Sequence, residues 1–296
     1  LPDGFPEGTM QVFVMLDRDV SGAFDKVSAQ RLVQKVRAFG VNQTAVEIIA
    51  SWLRRRSAHV IVSGAQSGEI TMNNMVYQGT VWGPPLWNAF FGDARLPIEQ
   101  AGFIDVFYAD DLNAFKLFPS TVMNSTILQG CDDCQLRLHK WGEANQVTFD
   151  PAKESKHVIS RSCPHGANFT ILGLEFDCKL IMAEAVHSCV VEANWKLKTI
   201  LRTRRFFNDE ELIGVYKSHI LSFIEYRTPG IFHASSSVLQ SLENVQERFL
   251  ADIGVSDVEA VSHFNLAPLR SRRDIAILGL IHKALLLKGP VVFTVF

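Results

Sequence analysis

The stretch FYADDLNAF (107–115) sets Asp110 beside Asp111 between two apolar runs. Adjacent like charges repel and Asp is a poor strand residue, so the pair at a strand end calls for a reason. A second group of carboxylates, Asp17, Asp19 and Asp25, follows the apolar run QVFVML (11–16). Strand ends and turns present side chains to clefts. If the two runs are neighbouring strands, Asp19 and Asp110 converge. Convergent carboxylates suit hard divalent cations, Mg²⁺ above all, and a cation offsets their mutual repulsion. Two such ions about 3.5–4 Å apart can clamp the attacking and leaving oxygens of a phosphoryl transfer. The plain alternative is an ordinary turn in which Asp side chains bond nearby backbone. For Asp25, near a helix start, that alternative is a cap or a partner of the helix dipole.

The elements that must position these residues are legible as patterns. QVFVML reads as a buried strand, and VSAQRLVQKVRAF (27–39) as a helix stopped by Gly40. A second helix begins at Thr44 with Glu47 as its capping-box partner and ends in Arg54-Arg55-Arg56. AHVIVSG (58–64) and EITMNNMVY (69–77) read as a strand pair. QGTVWGPP opens a helix through about 101, with Pro84 or Pro85 in its first turn. FIDVFY (103–108) and LNAFKL (112–117) form a hairpin signal around Ala109, Asp110 and Asp111. A long helix is expected over 119–145, and FTILGLEF (169–176) reads as one strand. Beyond about 185 the pattern is helical, with a helix start at Asn208 to Glu211. Apolar residues at 239, 242, 245, 249, 250 and 253 mark a further helix, and RSRRDIAILGLIHKALLL is the last helical stretch. An α+β domain followed by a helical one is the expected architecture.

With 296 residues, 47% hydrophobic and 20% charged, the chain reads as a folded protein with a sizeable core. Its formal net charge of -2 gives no overall basic field, so nucleic-acid binding would have to use local patches. No apolar run approaches a membrane span, and LPDGFPEG has no signal-peptide pattern. Without an initiator Met, and stopping on the apolar KGPVVFTVF, both ends look cut, as in a fragment. Five scattered cysteines fit reduced thiols in an intracellular protein. Cys131, Cys134 and His139 begin like a zinc knuckle, but Ala144 stands where the fourth ligand should fall. Leu128, Cys131, Leu138 and Trp141 also fall at helical spacing.

In this setting FYADD resembles the Y-x-D-D box of reverse transcriptases. Asp19-Val-Ser-Gly-Ala-Phe24-Asp25 is similar to the family's first aspartate motif, and Gln78-Gly79-Thr-Val-Trp-Gly83-Pro84 to its Q-G-x-x-x-G-P box. Trp141 through Asn145 to Pro151-Ala-Lys153 resembles the next motif, and Ile171-Leu-Gly-Leu174 the L-G strand after it. LENVQERFL (242–250) and LAPLRSRRDIA (266–276) look like the thumb of non-LTR retrotransposon (LINE-like) polymerases. The order holds from about 11 to 285. The resemblance implies a right-hand polymerase palm, an antiparallel sheet with packed helices, followed by an α-helical thumb. It places the palm with a remnant of the fingers at 1–180, and the thumb and C-terminal connection at 181–296.

The resemblance also implies roles. Asp19, Asp110 and Asp111, with the backbone carbonyl of Val20, would hold two Mg²⁺ ions, Mn²⁺ being able to substitute. Asp17 would be a supporting charge, or the first aspartate if the register slips. Phe24 would exclude a 2′-hydroxyl and so select deoxynucleotides; its plain alternative is a core aromatic. Gln78 and Gly79 would line the nucleotide and template pocket, a glycine letting backbone approach closely. Lys153 would be a proton donor to the leaving pyrophosphate, or a solvated surface lysine. The implied reaction is in-line attack of a primer 3′-hydroxyl on the α-phosphate of a deoxynucleotide, with an RNA template and a DNA primer as partners. The implied setting is a retroelement ribonucleoprotein of nucleus and cytoplasm, with no membrane.

Residues 195–207 carry five basic residues (Lys196, Lys198, Arg202, Arg204 and Arg205), three aromatics and no acid. On a thumb helix they would track the primer–template backbone; an amphipathic helix with a solvated basic face has the same spacing. Arg54–Arg56 and Arg270, Arg272 and Arg273 are similar cases. The pattern also departs from the family. The upstream fingers motifs are missing, and Tyr77 stands where many relatives have Pro. A catalytically inactive fragment that keeps the fold and nucleic-acid binding is therefore the alternative reading. An RNA-directed RNA polymerase is a third, against which bulky Phe24 argues.

Overall fold

The computed structural model of the chain describes residues 10–15, 20, 22–54, 56–72 and 74–286. Asp17, Asp19 and Arg55 lie outside the described residues, as does the run from 287 onward. The chain divides into two compact units, Leu1–Ala167 and Asn168–Phe296.

The first unit contains, in order, β1 (Met10–Met15), α1 (Ala29–Ala38), α2 (Gln43–Trp52), β2 (Arg56–Ala58), β3 (Ile61–Val62), β4 (Ala65–Gln66), β5 (Ile70–Met72), α3 (Gly83–Phe91), α4 (Arg95–Gln100), β6 (Ile104–Tyr108), β7 (Asp111–Pro119), α5 (Asn124–Asn145) and β8 (Lys156–Ile159). Its main sheet has the order β6-β7-β1-β8, every neighbouring pair antiparallel. β1 is central, with Met15 opposite Ala114 on β7 and opposite Lys156 on β8. The strands QVFVML and FIDVFY are thus in one sheet, with β7 between them. β8 is only four residues long, and its pairing with β1, more than its own propensity, makes it a strand.

Along β7, Leu112 and Ala114 are fully buried while Asp111, Asn113 and Phe115 are half-buried. Side chains alternate across a strand, so Asp111 stands on the more open face and Leu112 on the face that packs into the core. Leu32 and Val36 of α1, Val46 and Ile49 of α2, Leu86, Trp87, Phe90 and Phe91 of α3, and Ile127, Cys131, Cys134 and Leu138 of α5 fill that core. The α5 spacing of three and four is the apolar stripe of a helix lying on a layer.

Several elements differ from expectation for local reasons. The N-cap of α2 is Asn42, whose side chain accepts from the Thr44 N–H at 2.9 Å, while Glu47 bonds Gln43. Asn is the stronger cap and comes earlier in the chain. α5 begins at Asn124 rather than 119 because β7 follows β1 as far as Met10 opposite Pro119. The helix from Gly83 breaks at Gly92–Ala94, where Lys35 Nζ takes the Phe90 carbonyl at 2.6 Å and the Asp93 carboxylate at 2.6 Å. The strand pair after α2 shrinks to β2 with β5 and an inner hairpin of β3 with β4. Cys131 and Cys134 are core residues: Cys131 Sγ donates to the Ile127 carbonyl, and burial pushes its thiol pKa up to about 12. That is the opposite of a metal ligand, which must ionise.

The second unit holds β9 (Phe169–Ile171), β10 (Leu174–Phe176), α6 (Ala183–Thr203), α7 (Asp209–Tyr216), α8 (Ser222–Tyr226), α9 (Thr228–Ile231), α10 (Ser236–Ile253), α11 (Asp257–Ser262) and α12 (Leu269–Leu285). FTILGLEF is not one strand but a hairpin. Leu172 (φ 48°) and Gly173 (φ 76°) form a two-residue turn with both central φ positive, the type that matches strand twist. Asn208 caps α7 in a full capping box with Glu211, as its sequence announces. Leu242, Val245 and Phe249 of α10 are buried, Phe249 stacking on Tyr216 at 4.3 Å. Among the described residues no helix is long and apolar enough to cross a membrane.

Candidate active site

The two aspartates lie at the closed end of the β6–β7 hairpin. Tyr108 pairs with Asp111, so the turn has two central residues, Ala109 and Asp110. Ala109 has φ 55° and Asp110 is not among the positive-φ residues. A positive φ at the first central position only is the II′ pattern, where Gly is usual. An alanine there costs roughly 1–2 kcal/mol. Strain of this kind persists where surroundings over-determine it and collects at functional sites. Asp110 is half-buried on the turn, and Asp111 opens β7 on the open face of the sheet. Among the described residues Asp110 has no ion-pair partner, and on the face of Asp111 the buried Asn113 Oδ1 has no hydrogen-bond donor. Two adjacent carboxylates of this kind are hard oxygen donors that fit Mg²⁺ or Mn²⁺. Among the described residues no group of three His, Cys, Asp or Glu could hold a metal; Asp19 lies outside them.

What holds Ala109 is Trp87. Its indole Nε1 donates to the Ala109 carbonyl at 2.8 Å, and the side chain is 1% exposed. The Trp87 ring stacks on Phe24 (5.4 Å, 27°) and on Phe91 (4.8 Å, 21°), and Phe91 meets Phe107 of β6 edge-on at 5.4 Å. Trp87 and Phe91 are four residues apart on α3 and therefore share a face. Phe24 is half-buried and belongs to this aromatic row, so the core-aromatic alternative holds for part of its ring.

The Q-G box touches the first aspartate motif directly. The Val76 N–H donates to the Phe24 carbonyl at 2.7 Å, and Gln78 Nε2 to Asp25 Oδ1 at 3.5 Å. Gly79 has φ 74°, a conformation that favours glycine, and a Cβ there would meet no protein atom within 4 Å. At Gly83 a Cβ would sit 3.2 Å from the Tyr77 carbonyl and 3.5 Å from the Phe24 ring. Val20 is 3% exposed and bridges to Phe149; its carbonyl already accepts from the Ala23 N–H at 3.1 Å, leaving one lone pair. Lys153 is exposed at the end of a short 3₁₀ turn (Pro151–Lys153) capped by Asp150. That turn is fastened to α5 through Glu154, which bonds His139 at 2.8 Å and also Gln135. Asp25, Lys26, Asn74, His139 and Phe149 line a cleft of about 720 Å³ that Asp110 and Asp111 do not line.

Residues 7–176 match the family model described as reverse transcriptase (RNA-dependent DNA polymerase), which is more than half of the chain. The chain belongs to the reverse transcriptase family. It is 24% identical over 285 residues to the Retrovirus-related Pol polyprotein from type-1 retrotransposable element R2 of Popillia japonica, covering 88% of this chain and 45% of that protein. It is also 24% identical over 260 residues to the RNA-directed DNA polymerase from mobile element jockey of Drosophila melanogaster, covering 79% and 28%. Both relatives are non-LTR retrotransposon proteins. The chain thus spans less than half the length of these relatives.

In this reverse transcriptase chain the basic residues of 195–207 all fall in the second unit, on α6 and the 3₁₀ turn after it. Lys198, Arg202, Arg204 and Arg205 are exposed beside exposed Trp195, Phe206 and Phe207. Lys196 is half-buried, paired with Glu192 at 3.3 Å. Arg204 donates to the Asp252 carbonyl at 2.9 Å. Arg272 and Arg273 do not form a free basic patch: Arg272 pairs with Glu225 at 2.5 Å, and Arg273, 7% exposed, with Glu243 at 2.6 Å. Their acids sit on α8 and α10, too far along the chain for a sequence pattern to link them. Trp87 and Asn113 were likewise hidden; the spacing of Trp87 to Phe91 marks a buried helix face but not the bond to Ala109.

Proposed function

We propose that this chain is the polymerase domain of a non-LTR retrotransposon protein and that it copies RNA into DNA from a primer 3′-hydroxyl. The observation that carries the reading is the Asp110–Asp111 hairpin end, held in a strained turn at the head of β7, the strand that pairs with β1, in a chain that matches the family over 7–176. The second unit is the thumb. Asp19, Asp110, Asp111 and the Val20 carbonyl would hold two Mg²⁺ or Mn²⁺ ions, which supply positive charge against the α-phosphate and the leaving pyrophosphate. The chain's own residues do the rest. Phe24, braced by Trp87, lies under the sugar and excludes a 2′-hydroxyl. Gln78 and the Gly79 backbone line the nucleotide and template pocket. Lys153 gives its proton to the leaving pyrophosphate. Lys196, Lys198, Arg202, Arg204 and Arg205 contact the backbone of an RNA–DNA hybrid, which is recognised by shape rather than base edges. The cellular setting is a retroelement ribonucleoprotein of nucleus and cytoplasm.

The test is extension of a DNA primer on an RNA template with deoxynucleotides and Mg²⁺ or Mn²⁺. Asp110→Ala and Asp111→Ala are each expected to lower incorporation by at least about 10³-fold, the scale of losing a main source of transition-state charge stabilisation. Incorporation that survives both substitutions overturns the site. Hybrid binding without incorporation by the unsubstituted chain favours the inactive-fragment alternative.

A further inference from the structure

We infer that Trp87 is a positioning residue of this active site: its indole N–H sets the backbone of the aspartate turn while its ring sets Phe24, so that the metal-holding carboxylates and the sugar-selecting ring are placed from one side chain. The activity part rests on the polymerase reading above; the structural part does not.

Three observations carry it. First, the turn needs an outside hold. Ala109 occupies a left-handed φ of 55° that an L-residue avoids, and hairpin pairing fixes Tyr108 and Asp111 on either side but not the Ala109 carbonyl. Second, the hold is directional. The indole N–H is a donor only, it is buried, and it has taken the Ala109 carbonyl at 2.8 Å, one residue from Asp110. A phenylalanine at 87 would keep an aromatic ring in the row but leave that carbonyl without its donor. Third, the same ring is packed against both parts of the row. It stacks on Phe24 at 5.4 Å and on Phe91 at 4.8 Å, and Phe91 reaches Phe107 of β6. A shift of the turn is therefore felt at Phe24 and the reverse, because packed aromatic layers have little free volume to absorb it.

The test compares the full chain with Trp87→Phe, Ala109→Gly and the double variant. Amide hydrogen exchange over 107–112 reports the turn without any need for activity. Mn²⁺ titration reports the carboxylates, and primer extension reports kcat and KM for a deoxynucleotide. Trp87→Phe is expected to speed exchange over 107–112 by about 10-fold, with α5 and the second unit unchanged, because losing one local restraint opens that segment alone. It is expected to weaken Mn²⁺ binding and to lower kcat by about 10-fold while KM stays within about 2-fold, the mark of misplacement rather than lost substrate binding. Adding Ala109→Gly returns part of the lost protection and kcat, since glycine adopts the turn conformation without the clamp. Unchanged exchange over 107–112 in Trp87→Phe overturns the inference. So does exchange that rises equally throughout the first unit with a lowered Tm, which is a packing role. A chain that incorporates nothing defeats the polymerase reading, and the exchange result still decides the role of Trp87.

Discussion

The Arg56 guanidinium lies 4.4 Å from the centroid of the Tyr77 ring, and Trp52 meets the same ring edge-on at 4.9 Å. Tyr77 directly precedes Gln78 and Gly79, so the end of α2 and the start of β2 together hold the residue that leads into the Q-G box. Arg56 also donates to the Trp52 carbonyl at 3.2 Å, which fixes the guanidinium over the ring. Where a proline would restrain the backbone by its own covalent ring, this chain restrains it by an aromatic and a cation. Arg56→Ala is expected to cost about 0.5–1 kcal/mol of stability, as an exposed cation–π pair does, and Tyr77→Ala about 2 kcal/mol from lost apolar burial. Urea unfolding curves measure both.

Phe24 should govern the choice of sugar. Phe24→Ala removes the ring stacked on Trp87. It is expected to raise the ratio of ribonucleotide to deoxynucleotide incorporation on the order of 10-fold or more, the range a steric pocket can discriminate. The lost stack costs about 1 kcal/mol of stability. A competition assay with matched nucleotide pairs gives the ratio; an unchanged ratio removes Phe24 from sugar selection.

The arginines of the second unit divide into two kinds. Arg202 and Arg205 are exposed, whereas Arg273 and Glu243 form a pair with side chains 8% and 13% exposed. Arg202→Ala and Arg205→Ala are each expected to reduce the salt slope of hybrid binding by about 1 and to leave stability within about 0.5 kcal/mol. Arg273→Ala strands a largely buried carboxylate and is expected to cost about 3–5 kcal/mol. Salt-dependent binding isotherms and thermal unfolding separate the two behaviours.

His157 of β8 is 3% exposed, and burial holds its imidazole below the ordinary value of 6.5. The unfolded chain takes up a proton as pH falls through about 6.5 while folded His157 stays neutral, so protonation favours unfolding. This contribution to stability is full above about 6.5 and is lost as pH falls toward the lowered folded value. Stability measured between about pH 7 and pH 5 should decline, and His157→Gln should flatten the decline. An equal slope in the variant assigns the pH dependence to other groups.

Local patterns predicted what depends on neighbours in the chain. The aspartate hairpin, the Asn208–Glu211 cap and the buried stripe of α10 are set within a few residues, by turn geometry, side-chain capping and helical period. The expectations that failed turned on local backbone conformation or on a partner elsewhere. FTILGLEF became a hairpin through two positive-φ residues in succession, and β7 ran on to Pro119 because β1 lay beside it.

The amino-acid sequence by itself determined the chemistry available: two adjacent carboxylates at a hairpin end, a Q-G box upstream and a basic, aromatic segment late in the chain, in an order that resembles one family. Tertiary structure alone decided which of these touch. The bond from Trp87 to Ala109 spans 22 positions, the contact of Gln78 with Asp25 spans 53, and Arg273 reaches Glu243 across 30. Each is short-range in space, and each needs a fixed backbone before the two groups can meet at hydrogen-bond distance. Residue type sets what a group can donate or accept, but the fold sets the partner.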